Sequence, residues 1–398
     1  MKKIVIIGGG ASGLMAGIMA ARAGAAVTIL EKCEKPGKKI LATGNGRCNL
    51  TNRNQEISCY HGDKERIRRV LSGFTPEETL SFFHGLGLFT KERDGWVYPR
   101  TDQALSVVNL LLQEYASLKG KLKTLEEVTE IRKEDQGFTV YTKGWHYQAD
   151  AVIVACGTPA SNIEGVSGDA LKLARDFGIT CREFRPSLVP LKCRRENYFA
   201  KWAGVRTQAV LELVCEGRTV QTETGELQLT DYGISGIPVF QLSSRAGELL
   251  EQGKKPSVKI SFLPDFQRTE LENSLKNLKS NYPDRKPEQL LAGLLPDKLL
   301  AALSGKKTTL EQLLDRAFCT ELTVTACGAL KQAQICAGGI SLDQLTEHME
   351  AKNQPGLFFT GECTDTDGRC GGYNLQWAWS TGAVAGIRAA RERRLEQG

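Results

Sequence analysis

Three of the four glycines within the first thirteen residues carry the first chemical signal. Gly8, Gly10 and Gly13 are spaced G-x-G-x-x-G, directly after the apolar run 4–7 and directly before a helical pattern over 14–23. In that setting each glycine has a task. Gly8 permits a tight turn, Gly10 lets a pyrophosphate approach the backbone, and Gly13 lets helix and strand pack closely. Ala11 and Ser12 then stand at a helix N-terminus that faces the phosphates. Glu31 closes the second apolar run, 18 positions past Gly13, where an acid can bond a ribose hydroxyl. Strand, glycine turn, helix, strand and acid in that order read as a dinucleotide-binding unit.

A second stretch follows at once. After Lys32 and Lys39, the residues Thr43, Gly44, Asn45, Gly46, Arg47, Cys48 and Asn49 are almost all small or polar, with no periodicity. Exposed amides together with Lys39 and Arg47 would suit an anionic ligand. A plain surface loop fits the composition equally well.

A third stretch lies near the far end of the chain. The apolar run 357–360 leads to Gly361 and Glu362, then to Asp367, then to Gly371, Gly372, Tyr373 and Asn374, with a helical pattern over 375–394. Ala378, Gly382, Ala385 and Ala389 share one face of that helix, which can therefore rest on other backbone. Arg391, Arg393 and Arg394 complement its dipole. Strand, glycine, acid, loop and helix repeat the logic of the opening.

Elements between these stretches must bring them together. Residues 64–72 and 76–85 read as short helices, 96–98 as a short strand and 103–118 as an amphipathic helix. Three short strands are expected at 121–133, 138–142 and 145–148, then a buried strand at 149–155 ending in Ala155, Cys156 and Gly157. A meander at this point, in place of a crossover helix, is the variant used by large FAD-binding proteins. Val128 stands on its first strand, where such folds bring a small apolar residue to the adenine. In folds of this class the acid after the late strand, Glu362, bonds the ribityl or pyrophosphate-side hydroxyls, and the final helix aims its N-terminus at the pyrimidine end of the ring. No second G-x-G-x-x-G has a strand before it and an acid after it, so NADH or NADPH would act as a transient co-substrate.

From about Pro186 the character changes. Strand-like runs at 188–193, 208–215, 218–229 and 257–262 flank a helix at 238–251, and 268–281, 286–302 and 309–317 are helical. Residues 321–326 and 331–334 return to strand. The expected fold is α/β: a discontinuous FAD-binding Rossmann-like domain (1–185 and 339–398), an inserted β-barrel-like domain (186–264 and 319–338) and a helical subdomain (265–318).

Blocks along the chain resemble the BaiN-like family of bacterial flavoproteins, which includes aminoacetone oxidases and a bile-acid dehydro-intermediate reductase. They are Gly8–Gly13, residues 38–52, 186–191, 229–236 and 371–380. The resemblance implies the same three-part fold and FAD, and it assigns the 43–52 loop to the FAD pocket. This chain has Thr325-Ala-Cys-Gly-Ala329 where members often carry Thr-x-Gly-Gly-Val.

Composition sets the outer bounds. With 398 residues, 41% apolar and 25% charged, the chain can fill more than one packed core. A net charge of +6 without a long basic block does not by itself call for a nucleic-acid partner. Five glycines and a serine interrupt the uncharged stretch 4–21, which reads as strand–turn–helix and not as an export signal or membrane span. The expected compartment is therefore cytoplasmic, with the twelve cysteines as thiols. None forms C-x-x-C, and no metal set is indicated. His61, His84, His146 and His348 form no catalytic spacing.

The function expected is an FAD-dependent oxidoreductase passing a hydride between flavin and a small organic substrate, with NAD(P)H as donor and the substrate between the FAD domain and the insertion. Arg47, Tyr232, Arg369, Tyr373 and Asn374 are the substrate-side candidates. An RNA-binding flavoprotein that modifies tRNA is the rival reading, and a flavin-binding protein without turnover is a third. The sequence leaves oligomeric state open.

Overall fold

Residues 4–7 carry no polar side chain, so the strand they form must be covered on both faces. In the computed structural model, which describes residues 1–305 and 307–391, that strand (β1, Lys3–Ile7) lies mid-sheet. Its neighbours are β2 (Ala26–Glu31) and β7 (Ala151–Val154). Outside them lie β3 (Lys121–Thr124) and β8 (Leu357–Phe359). Every pairing in the order β8-β7-β1-β2-β3 is parallel. The carboxyl ends of these strands therefore share one edge, where open α/β sheets bind ligands.

The meander forms as three antiparallel strands, β4 (Val128–Lys133), β5 (Phe138–Thr142) and β6 (His146–Ala149). Residues 121–133 make two strands where one was expected. Leu125 turns the chain with φ 58°, and the amides of Leu125 and Glu126 bond back to Cys33 O and Glu31 O. The first piece thus extends the parallel sheet, and the second opens the meander.

The opening helix spans Ala11–Arg22 and the final helix Tyr373–Ala390; Arg393 and Arg394 lie outside the described residues. The two helices meet backbone to backbone. A Cβ on Gly382 would stand 2.4 Å from Ser12 O, and one on Gly386 2.3 Å from Ala16 O.

The chain divides into two compact units, one running to Arg185 and resuming at Ile335, the other Pro186–Gln334. The second holds a closed barrel of six antiparallel strands, Leu191–Cys193, Arg206–Cys215, Arg218–Leu229, Gly233–Ser235, Ser257–Ser261 and Thr320–Cys327. Its helices share one buried apolar cluster with the barrel. Residues 286–302 form two helices, Pro287–Leu291 and Asp297–Leu303, because Gly293 and Pro296 break the run. Residues 331–334 do not make a strand. A 3-10 turn takes Leu330–Gln332, and the strand comes later, Ile335–Ile340, in the first unit.

Candidate functional site

Parallel register sets the frame of the site. Gly8 follows β1, Glu31 ends β2, Ala155 to Gly157 follow β7, and Gly361 with Glu362 follows β8. Val128, at the head of β4, lies just beyond the turn that leaves β3 at the same edge.

Gly8 takes φ +106°, and a Cβ there would lie 2.4 Å from Ala155 O. Gly13 is tighter, since its Cβ would lie 2.0 Å from Gly8 O. These two glycines let strand, turn and helix close on one another. Gly10 is different. A Cβ there meets nothing within 4 Å, so its bareness serves a space and not a neighbour. Gly157 is open in the same way, at φ +71°. Ala11 and Ser12 start the opening helix, which no side chain caps, and Ser12 Oγ reaches Thr360 O at 3.5 Å.

Glu31 holds the phosphate turn in shape. Its Oε2 accepts from Gly9 N at 2.7 Å, and its Oε1 from Cys33 N at 2.8 Å. Lys32 donates to Ser167 Oγ and Asp169 Oδ2, at 2.5 and 2.8 Å. Lys39 pairs with Glu362, and Thr158 Oγ1 donates to the same carboxylate oxygen at 3.1 Å. Two residues 323 positions apart thus share one ion pair. Cys156 lies by Ile7 O, 3.7 Å away, and burial pushes its thiol up to about 12.

The 43–49 loop turns through left-handed backbone at Gly44, Asn45, Gly46 and Cys48, with φ 57°, 55°, 82° and 59°. Such runs can form anion-holding concavities. Thr43 Oγ1 bonds Ile40 O at 2.6 Å, and the Arg47 guanidinium stands 5.9 Å from the centre of the Tyr98 ring. Cys48 is fully buried, its thiol also pushed up to about 12 by burial. Asn49 reaches the far end of the chain. In the amide orientation that satisfies both ends, it accepts from Gly372 N at 3.2 Å and donates to Thr51 O at 3.0 Å.

Gly372, at φ +93°, begins the final helix, and a Cβ there would lie 2.5 Å from Thr51 O. No side chain caps this helix, so its first amides stand available to an acceptor. Tyr373 Oη donates to Asn54 O at 2.9 Å, and Asn374 clasps Gly368 through Oδ1 and Nδ2 at 2.7 and 2.8 Å. Gly361 N donates to Thr381 Oγ1 at 2.9 Å. Arg369 N donates to Cys59 O. Tyr232 belongs to the second unit, where it is exposed.

Asp367, expected at the cofactor, also has a side-chain partner. Its carboxylate meets His61 Nδ1 at 3.0 Å. That pair joins residues 306 positions apart in the sequence, and no local spacing of the histidines announces it. Gly9, Thr158, Thr51 and Thr381 were missed as well. Each acts through a partner remote in the chain, and nothing local signals it.

The donor set fits FAD. An open glycine turn, acceptor carboxylates at two strand ends and an uncapped helix N-terminus are the parts a dinucleotide with an electron-accepting ring requires. Among the described residues no helix is long and apolar enough to cross a membrane.

A family model described as HI0933-like protein Rossmann domain matches residues 2–388. A 3-dehydro-bile acid delta(4,6)-reductase of Clostridium scindens is 43% identical over 410 residues, covering 99% of this chain and 100% of its own. A ribosomal RNA dihydrouridine synthase of Escherichia coli is 30% identical, with 95% of each chain covered. One of the same description from Haemophilus influenzae is 26% identical, with 98% of each covered.

Proposed function

The chain belongs to the HI0933-like Rossmann family, and on that premise we propose that it saturates a carbon–carbon double bond conjugated to a carbonyl in a small organic molecule, with NAD(P)H as donor. It is a flavin-dependent oxidoreductase. The observation that supports the reading most is the closure of two distant segments on one sheet edge: Gly8 to Gly13 at one end, Glu362 and Gly372 at the other, joined by Lys39–Glu362 and by Asn49 to Gly372 N. FAD, when bound, supplies the hydride acceptor and donor.

The chain's own residues do the rest. Gly10 leaves room for the pyrophosphate. Glu31 holds the turn and offers its carboxylate to a ribose. The final helix, 18 residues long, presents about half a positive charge at Gly372–Asn374, which favours negative charge on the ring. The two named activities among the relatives share a bond type, since a 4,6-diene beside a 3-ketone and the ring of uridine each carry a double bond conjugated to a carbonyl. The 43% identity of the bile-acid enzyme, against 30% for the RNA enzyme, favours the small molecule.

Anaerobic titration of the FAD-loaded protein with NADH and with NADPH tests this. Bleaching of the flavin, then recovery of its colour on adding a 3-oxo-4,6-diene bile acid, is the expected result. A protein that takes up no FAD, or that bleaches and recovers only with oxygen, overturns it. Ribosomal RNA as the acceptor is the second reading, favoured by the two dihydrouridine synthases. Retention on heparin with co-purified RNA would support it.

A further inference from the structure

We infer that His61, held by the buried carboxylate of Asp367, is the proton donor of the reduction proposed above, with Asp367 as its positioning residue. The inference rests on that reading. It begins from a two-residue ladder. Tyr60–His61 pairs antiparallel with Asp367–Gly368, His61 opposite Asp367 and Tyr60 opposite Gly368. Successive strand side chains point to opposite faces. Tyr60 turns inward, fully buried, with its ring edge-on to Tyr373 at 5.7 Å. His61 and Asp367 therefore meet on the other face as a cross-strand pair.

Exposure separates their roles. The Asp367 side chain is 5% exposed and that of His61 36%. A buried carboxylate facing Nδ1 selects the imidazole with hydrogen on that nitrogen and turns Nε2 outward. Among the charged or ionisable groups nearby are Lys64, whose ammonium is pulled down by burial and held up by Asp367 and Cys59, and Arg182, which pairs with Asp365 on the same loop at 3.1 Å.

Position then ties the pair to the site. Asp367 lies five residues past Glu362 and five before Gly372. It is thus the midpoint of the loop that carries both the candidate ribityl acid and the cap of the final helix. Arg369 N on Cys59 O, at 2.9 Å, binds the histidine's strand to the same loop.

Saturating an activated double bond takes a hydride at the β carbon and a proton at the α carbon. FAD, when bound and reduced by a dihydronicotinamide, would supply the hydride with its two electrons. The imidazolium gives its Nε2 proton: the N–H bond breaks, an α C–H bond forms, and neutral His61 keeps Nδ1–H on Asp367. Solvent returns the proton.

The two half-reactions of the holoenzyme separate this role from a structural one. His61→Gln and His61→Ala should bind FAD and be bleached by the nicotinamide within twofold of the parent. Their reoxidation by the 3-oxo-4,6-diene should slow about 100-fold, with imidazole restoring part of it in His61→Ala. Asp367→Asn should slow the same step by a smaller factor. Reoxidation at the parent rate in both His61 variants overturns the inference and leaves the functional reading standing. So does a parallel fall in FAD affinity, melting temperature and bleaching, which would mark the pair as structural. A parent protein that bleaches but is not reoxidised by the diene overturns the functional reading, and this inference with it.

Discussion

The first and last strand–helix connections of the Rossmann unit do similar work by different means. At the opening, three residues, Gly8 to Gly10, separate β1 from its helix, and the fit is made mainly by missing side chains, with one carboxylate, Glu31, on Gly9 N. At the close, residues 360–372 separate β8 from the final helix, and the fit is made by side chains reaching across the chain. Thr381 holds Gly361 N, Trp377 Nε1 holds Thr364 Oγ1 at 2.9 Å, Asn374 holds Gly368, and His61 holds Asp367. A short turn can be specified by its own backbone. A long loop has many conformations to exclude and needs partners outside itself.

The sharpest break of that contrast is at the opening. Gly13→Val forces a Cβ toward Gly8 O, where only 2.0 Å is available. Backbone must move, and the expected loss is about 3 kcal/mol, read by urea denaturation or by failure to recover soluble protein. Parent-like stability would show that the turn does not depend on a bare glycine.

At the close the corresponding break is polar. Gln376 is fully buried and accepts from Thr51 Oγ1 at 2.6 Å while donating to Thr79 Oγ1 at 2.9 Å and Ser380 Oγ at 3.0 Å. Gln376→Leu strands the Thr51 hydroxyl and removes the donors to Thr79 and Ser380, the latter keeping its bond to Phe74 O, and the expected cost is about 2 kcal/mol. The same denaturation curve checks it, and no loss would mean the network is ornamental.

A smaller effect sharpens the comparison on the ligand side. Glu31→Gln keeps the shape of the acceptor on Gly9 N but removes its charge, so FAD affinity should fall about tenfold, or about 1.4 kcal/mol. Fluorescence titration of the apoprotein reads it, and the amide group that replaces the acceptor of Cys33 N costs about 1 kcal/mol of folding stability as well.

The smallest effect concerns pH. Burial raises the thiols of Cys48 and Cys156 to about 12, from an ordinary value of 9.0. A raised thiol favours the protonated form in the folded state, so this contribution is fully present below about pH 9 and is lost as pH rises toward 12. Chevron or denaturation midpoints should therefore decline above pH 9. At pH 8 the exposed Cys319 should alkylate while Cys48 and Cys156 stay protected.

Much of this molecule is legible in its sequence. Glycine spacing, an acid after the second strand and the late Gly361–Glu362 pair all announce themselves within a few neighbours. The small-residue face read at Ala378, Gly382, Ala385 and Ala389 does meet backbone at Gly382, against Ser12 O, while the contact with Ala16 is made by Gly386, which that reading left out. Less legible are breaks that depend on local φ, as at Leu125, or on Gly293 and Pro296 cutting a helical period.

What local chemistry determines is the kind of site: period, glycine and acid placement depend on residues within a turn of one another, and the chain carries them unfolded. Which side chains face each other was decided only by the folded chain. Lys39 finds Glu362, Asn49 finds Gly372 and His61 finds Asp367 across more than 300 positions. Such pairings follow from parallel strand order and from two helices in backbone contact, and no periodicity in the sequence encodes a distance of that length.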